Sequence, residues 1–248
     1  CLVSKENNTG KSTFGKLLKA IFKGNMATIG NADLENDFNG GWADRLVICC
    51  EESFIDKKKT IEKIKALSTG DKIQINMKGV DQIEIDFFGK FIFMSNNEDN
   101  FLIANEHDER FWVRRVPKAP KEITDLLEQM EGEVEGFLRF LNERNFSTKK
   151  DSRMWFAPAL LKTDALKKLV EGNKSAAERE IRAYVRNMML EYGFSELQYT
   201  LKFMVEEVLR KRYESNYIER LFNEKIRVKK SLTTTRFKYP VIKGEFIG

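Results

Sequence analysis

Residues 1–117 predict an α/β fold, a mainly parallel sheet flanked by helices. Residues 118–248 predict a mostly helical continuation that closes as a basic, winged-helix-like unit. Three observations carry this. Short apolar runs alternate with helix-period stretches up to residue 117, the rhythm of strand–helix–strand units. Two of those runs, RLVICC (45–50) and FIFM (91–94), are almost continuously apolar, as strands buried on both faces must be. Beyond Pro117 the spacing turns helical until 227–242, where β-branched and aromatic residues return among lysines and arginines.

The elements follow in order. Residues 1–4 read as a strand and 12–23 as a helix, with Phe14, Leu17, Leu18, Ile21 and Phe22 on one face and Gly24 as its stop. A short strand is expected at 26–30, an apolar strand ending in two carboxylates at 45–52, and a helix at 57–68. Residues 71–86 alternate apolar and polar side chains on both sides of Lys78-Gly79, a β-hairpin pattern. Strands follow at 90–97 and at 110–116, the latter closed by Pro117. A helix spans 123–143. Ser175-Ala-Ala-Glu178 is a capping box ahead of a stripe of Ala177, Ile181, Val185, Met188 and Met189, with Gly193 as its stop. Helices at 200–213 and 216–226 precede a basic two-strand ribbon. That order suits a winged helix-turn-helix; a helical lid with no role on DNA is the alternative. The expected divisions are a core at 1–117, a helical extension at 118–165 and a basic unit at 166–248.

Composition narrows the function classes. With 42% hydrophobic and 33% charged residues the chain is a soluble globular one. No apolar run approaches the ~20 residues that cross a bilayer, so no membrane role is expected. Cys49 and Cys50 are adjacent in a strand and cannot build a disulfide framework, which fits a reducing, cytoplasmic compartment. The single histidine, His107, stands alone, and the cysteines lack ligand spacing, so zinc is not expected. The chain opens on an apolar strand without a Met, as a piece of a longer protein would. The net charge of +5 concentrates at the end, where residues 201–248 hold twelve Lys/Arg against six Asp/Glu; a polyanion partner or a solvated surface would explain it.

The chemistry starts in LVSKENNTGKSTFGKLLKAIF (2–22): apolar strand, small polar loop, Gly10-Lys11-Ser12, amphipathic helix. This is the context a phosphate-binding loop requires. Backbone N–H groups converge at a helix N-terminus, where the dipole favours anions. Asn8, Thr9, Gly10, Lys11, Ser12 and Thr13 are the expected nucleotide contacts. Lys11 would reach the β- and γ-phosphates and Ser12 would bind Mg²⁺. Lys5 stands where such loops carry their first glycine, a loss if that position needs a positive φ. Glu51 and Glu52 close an apolar strand beside the loop. The expectation is Glu51 in the metal shell and Glu52 on the attacking water. Asn96, ending FIFMSN, is placed to contact the γ-phosphate or that water; a turn-forming Asn is the bland alternative.

This order of motifs resembles the superfamily III helicases, specifically the helicase half of phage- and plasmid-type primase-helicases. KENNTGKST, LVICCEE, IKALSTGDKIQINMKG and FIFMSNN carry the resemblance, which covers residues 2 to about 117. It implies a P-loop NTPase core of AAA+-like form, a homo-hexameric ring and ATP bound with Mg²⁺ between subunits. It also implies ATP-driven movement on single-stranded DNA. In that setting the 72–86 hairpin, with Lys72 and Lys78, would grip the DNA backbone. Arg110 would act as an arginine finger, with Arg114 and Arg115 as alternates. A nucleotide-dependent DNA-binding or initiator module with little turnover is the alternative function.

Overall fold

The structure is a computed structural model. It describes residues 1–105, 108–145, 157–193, 196–199, 201–226, 229–230 and 240–243; His107 and most of the basic ribbon lie outside them. Two compact units divide the chain, Cys1–Asn173 and Lys174–Gly248. The expected 118–165 extension falls within the first.

The first unit is built on a parallel five-stranded sheet. Its strands are β1 (Leu2–Val3), β2 (Met26–Ile29), β3 (Val47–Cys50), β6 (Lys90–Ser95) and β7 (Arg114–Arg115), in the order β2-β3-β6-β1-β7. Every pairing is parallel, and the register sets Val3 opposite both Ser95 and Arg115, and Cys50 opposite Phe93. β3 is buried along its whole length. Its alternate residues divide between two layers. Val47 and Cys49 join Met26 and Met94 against Leu18 and Phe22 of α1 (Lys11–Phe22). Cys50 joins Val3, Phe93, Phe101 and Leu102 against Ile61 and Ile64 of α3 (Lys58–Thr69). Both faces are thus covered, which explains the unbroken apolar runs.

The remaining elements largely match expectation. β4 (Lys72–Met77) and β5 (Val80–Asp86) form the hairpin as a separate two-stranded antiparallel sheet, turning at Lys78-Gly79 with Gly79 at φ 75°. Four details differ. A short helix, α2 (Asn31–Glu35), occupies a stretch too brief to show periodicity. The 12–23 helix stops at Phe22, and a 3₁₀ turn over Lys23–Asn25 carries the chain into β2. The 110–116 strand pairs only at Arg114–Arg115. The 123–143 helix is two, α4 (Leu126–Gly132) and α5 (Val134–Glu143), parted where Gly132 weakens helix propagation. Helix α6 (Asp164–Gly172), capped by Thr163 accepting from the Leu166 N–H, completes the unit.

The second unit opens with α7 (Ala176–Tyr192). Ser175 caps it by accepting from the Glu178 N–H at 3.1 Å, and Gly193 ends it at φ 67°. β8 (Glu196–Gln198) follows, then α8 (Leu201–Phe203), which runs on as a π-helical turn over Met204–Val208. α9 (Ser215–Leu221) runs on likewise over Phe222–Ile226. β9 (Lys229–Lys230) and β10 (Pro240–Lys243) close an antiparallel sheet of order β8-β10-β9. Ala177, Ile181, Val185 and Met189, the apolar stripe of α7, pack on Met204, Leu209, Ile218 and Phe222.

Candidate functional site

In an open parallel sheet, ligands gather beyond the carboxyl ends of the strands. Here β1, β3 and β6 deliver three polar segments to one edge: the 4–10 loop, Glu51-Glu52 and the turn after Ser95.

The loop is shaped by two left-handed residues, Asn8 at φ 56° and Gly10 at φ 88°, which turn the chain into the first turn of α1. Asn tolerates that conformation better than other non-glycine residues. Lys5 is not among the positive-φ residues, so the position needs no glycine. Its backbone N–H donates to Glu98 Oε1 at 3.1 Å, and its ammonium pairs with Asp99 at 3.2 Å.

Lys11 is the unusual residue. It is only 9% exposed, and its Nζ donates to Thr9 Oγ1 at 3.1 Å. Among the described residues no carboxylate ion-pairs with it. Burial pushes the ammonium below the usual lysine range, with the charge of Glu98 opposing. A buried cation that no carboxylate contacts is unfavourable until an anion joins it. The N-terminus of a twelve-residue helix adds its dipole and unpaired N–H groups at the same point.

Glu51 is half-buried beside the first turns of that helix; a Cβ added at Gly15 would stand 3.4 Å from its Oε1 and 3.2 Å from Met94 Cε. Gly15 therefore lets α1 approach the strand ends closely. Glu52 is exposed and left-handed at φ 50°, with its carbonyl accepting from Asn31 Nδ2 of α2 at 3.4 Å. Such backbone strain concentrates at functional sites. Asn96 Nδ2 donates to Asn7 Oδ1 at 3.2 Å, tying the end of β6 to the loop.

Ser12 and Thr13 follow in the first turn of α1, Ser12 exposed and Thr13 half-buried. The loop, Glu51 and Asn96 therefore share one edge. The hairpin lysines and the arginine candidates are placed as follows. Lys72 pairs with Glu84 at 2.6 Å on the hairpin, and Lys78 is exposed at its tip. Arg110 is held by Asp108, which takes its backbone N–H at 3.3 Å and its guanidinium at 3.5 Å. Arg114 stacks over the exposed Trp112 ring at 5.7 Å. Arg115 binds Glu98 at 3.2 Å.

Sequence reasoning missed Glu98. Its side chain is nearly fully buried, yet it meets the Lys5 N–H, Arg115 and the ammonium of Lys168 on α6. Burial alone would raise its carboxyl; the hydrogen bonds from Lys168 and Lys5 and the charge of Arg115 outweigh that and hold it below the usual range. Asp99 is held low chiefly by its bond from Lys5. The signal available was the Glu-Asp pair directly after a strand ending in SNN.

A family of unknown function, DUF5906, matches residues 2–115. The chain is 26% identical over 201 residues to a DNA primase-polymerase of Nitratiruptor phage NrS-1, a match covering 73% of this chain and 27% of that protein. The chain thus spans about a quarter of the relative's length. An apo structure of the NrS-1 C-terminal region superposes with a TM-score of 0.67 at 19% identity, covering 98% of this chain and 67% of that one. A second form of the same region gives 0.67 at 19% identity.

These findings correct the helicase expectation. The similar protein is a primase-polymerase and not a superfamily III helicase, so the family assignment and the ATP-driven movement on single-stranded DNA are withdrawn. The reason is physical. A Gly-Lys-Ser loop, an acid-ended strand and a polar-ended strand specify polar groups gathered at a sheet edge. They do not specify what reaction such an edge serves.

Proposed function

We propose that this chain is a nucleoside-triphosphate-binding part of a DNA primase-polymerase-type replication protein. Lys11 is the observation that carries the reading: a buried ammonium at a helix N-terminus, beside a left-handed Gly10, with a hydroxyl as its partner. The cradle suits the triphosphate shared by all nucleotide substrates, ATP included, and Asn8 to Thr13 line it. The strand order supports a P-loop NTPase core, since it leaves only β6 between acid-ended β3 and the loop-bearing β1.

Mg²⁺ fits the donors present. Ser12 offers a hydroxyl and Glu51 a carboxylate beside the same helix. Among the described residues no three Cys, His, Asp or Glu side chains converge. Mg²⁺ suits such a sparse set, because it keeps several waters and takes phosphate oxygens. Asn96, tethered to Asn7, is a further phosphate contact.

DNA is the proposed macromolecular partner. The similarity to a DNA primase-polymerase supports it, as does the basic character of residues 201–248. The second unit's order of helix, strand, two helices and two strands supports the winged-helix reading. On the hairpin, Lys78 is the better phosphate contact, because Lys72 is engaged by Glu84.

The test is titration calorimetry with Mg²⁺-nucleoside triphosphates. Lys11→Met should weaken binding about 100-fold, near 2.7 kcal/mol. Equal affinity in the variant and the parent would overturn the proposal.

A further inference from the structure

Helix α6 lies more than 150 residues from the phosphate loop in sequence, yet it is fastened at three points to the segment that supports that loop. Lys168 Nζ reaches both Glu98 and, at 3.6 Å, Asp99. Asn173, directly after α6, donates through Nδ2 to the Leu102 carbonyl at 2.8 Å. Gly172 packs against the backbone of Asp99 so closely that an added Cβ would overlap its carbonyl oxygen and carbon. The helix is also seated from below by Leu166, Leu169 and Val170, which pack in the core with Phe101 and Leu102.

The fastened segment is in turn the anchor of the loop. Glu98 accepts the Lys5 N–H at 3.1 Å and Asp99 pairs with the Lys5 ammonium at 3.2 Å. Arg115 of the neighbouring edge strand holds Glu98 from another side at 3.2 Å. Asn97 stiffens the turn itself, its Oδ1 accepting the N–H groups of Asp99 and Asn100, each at 3.0 Å. The path from α6 to the loop is therefore short: Gly172 packs on Asp99, Lys168 binds Glu98 and Asp99 by charge-assisted bonds, and those two carboxylates hold Lys5. Charge-assisted bonds of this kind are the stronger ones, and they hold geometry as well as energy.

We propose that α6 is a positioning strut for the phosphate loop, acting through Glu98 and Asp99 to hold Lys5 and so the start of the N–H cradle. The proposal rests on the triphosphate reading of the loop. Lys5, standing where a flexible glycine is common, is then part of the device: the loop is held at its start by the Glu98 carboxylate, not by backbone freedom. None of the strut residues is among the proposed phosphate contacts, Asn8 to Thr13 and Asn96. They set where the loop lies before the anion arrives, and a loop that is already in place loses less order on binding.

Three variants test this, each read by Mg²⁺-ATP affinity and by amide hydrogen exchange of the 4–10 backbone. Gly172→Ala forces the α6 terminus off Asp99 and should lower affinity at least tenfold, with faster exchange in the loop. Glu98→Gln keeps an acceptor for the Lys5 N–H while losing the charge that Lys168 and Arg115 hold; a two- to fivefold loss is expected. Lys168→Met should match Glu98→Gln, and combining the two should add little, because both act on one link. If Gly172→Ala does not fold, the other two variants decide. Folded variants that bind Mg²⁺-ATP like the parent, with unchanged loop exchange, overturn the strut. Loss of thermal stability with unchanged affinity does so too, since it marks a purely structural contact. Lys11→Met serves as the separate control. If it leaves binding intact, the triphosphate reading fails; if it weakens binding while the strut variants bind like the parent, only the strut fails.

Discussion

The two ends of the loop between β1 and α1 treat charge in opposite ways. At the start, Lys5 is exposed and satisfied: Asp99 pairs with its ammonium and Glu98 accepts its N–H. At the finish, Lys11 is buried with the Thr9 hydroxyl as its partner. The first arrangement holds the chain in place. The second keeps a cation desolvated and uncommitted, which is unfavourable for the fold alone and favourable for binding an anion. A lysine's neighbours, and not its identity, decide whether it is structural or reserved for a ligand.

The contrast is broken most forcefully at Glu98. Glu98→Ala takes the acceptor from the Lys5 N–H and the carboxylate from Lys168 and Arg115, which are partly exposed and turn to solvent, and the loss expected is about 2 kcal/mol of stability. Chemical denaturation checks this; a loss below ~1 kcal/mol would show that the cluster is not a support. Lys11→Met comes next and should separate the two roles. Triphosphate binding should fall about 100-fold, while the melting temperature without nucleotide should not drop, because burial disfavours this ammonium.

The acid limb of stability is a third probe. Glu98 and Asp99 both hold their protons more weakly in the folded protein than in the unfolded chain. Their stabilisation is complete above the unfolded values, about pH 4–4.5. It is lost as pH falls through the lower folded values. Melting curves between pH 6 and pH 3 should steepen at the acid end for the parent and flatten for Glu98→Gln. The mildest change is Lys5→Ala. It removes an exposed ion pair worth under ~1 kcal/mol and spares the backbone bond to Glu98, so triphosphate affinity should shift less than twofold. A tenfold shift would mean that the ammonium itself touches the phosphates.

Much of this was legible in the chain. The apolar runs of β3 and β6, the Lys78-Gly79 turn and the Ser175 cap all rest on interactions within a few residues, which local patterns encode directly. The gathering of the loop with Glu51 and Asn96 followed from strand ends alone. Short or interrupted elements were less legible. α2 spans five residues and β7 two, too few to show a period, and the Gly132 break looked like one continuous helix. The helicase reading failed for another reason: a phosphate cradle is local, whereas the use made of the phosphate depends on partners and domains that no local motif describes.

By itself, then, the sequence determined the parallel α/β character, the loop, its cation and the helix that follows, because period and turn chemistry act over a few residues. Only the tertiary structure decided which charges are spent and which are kept. That Lys5 needs no glycine, that Glu98 is a buried anchor, and that α6 is fastened to it through Gly172 and Lys168 are facts of approach between segments far apart in the chain. Burial sets the strength of each of those charges, and burial exists only once the segments have met.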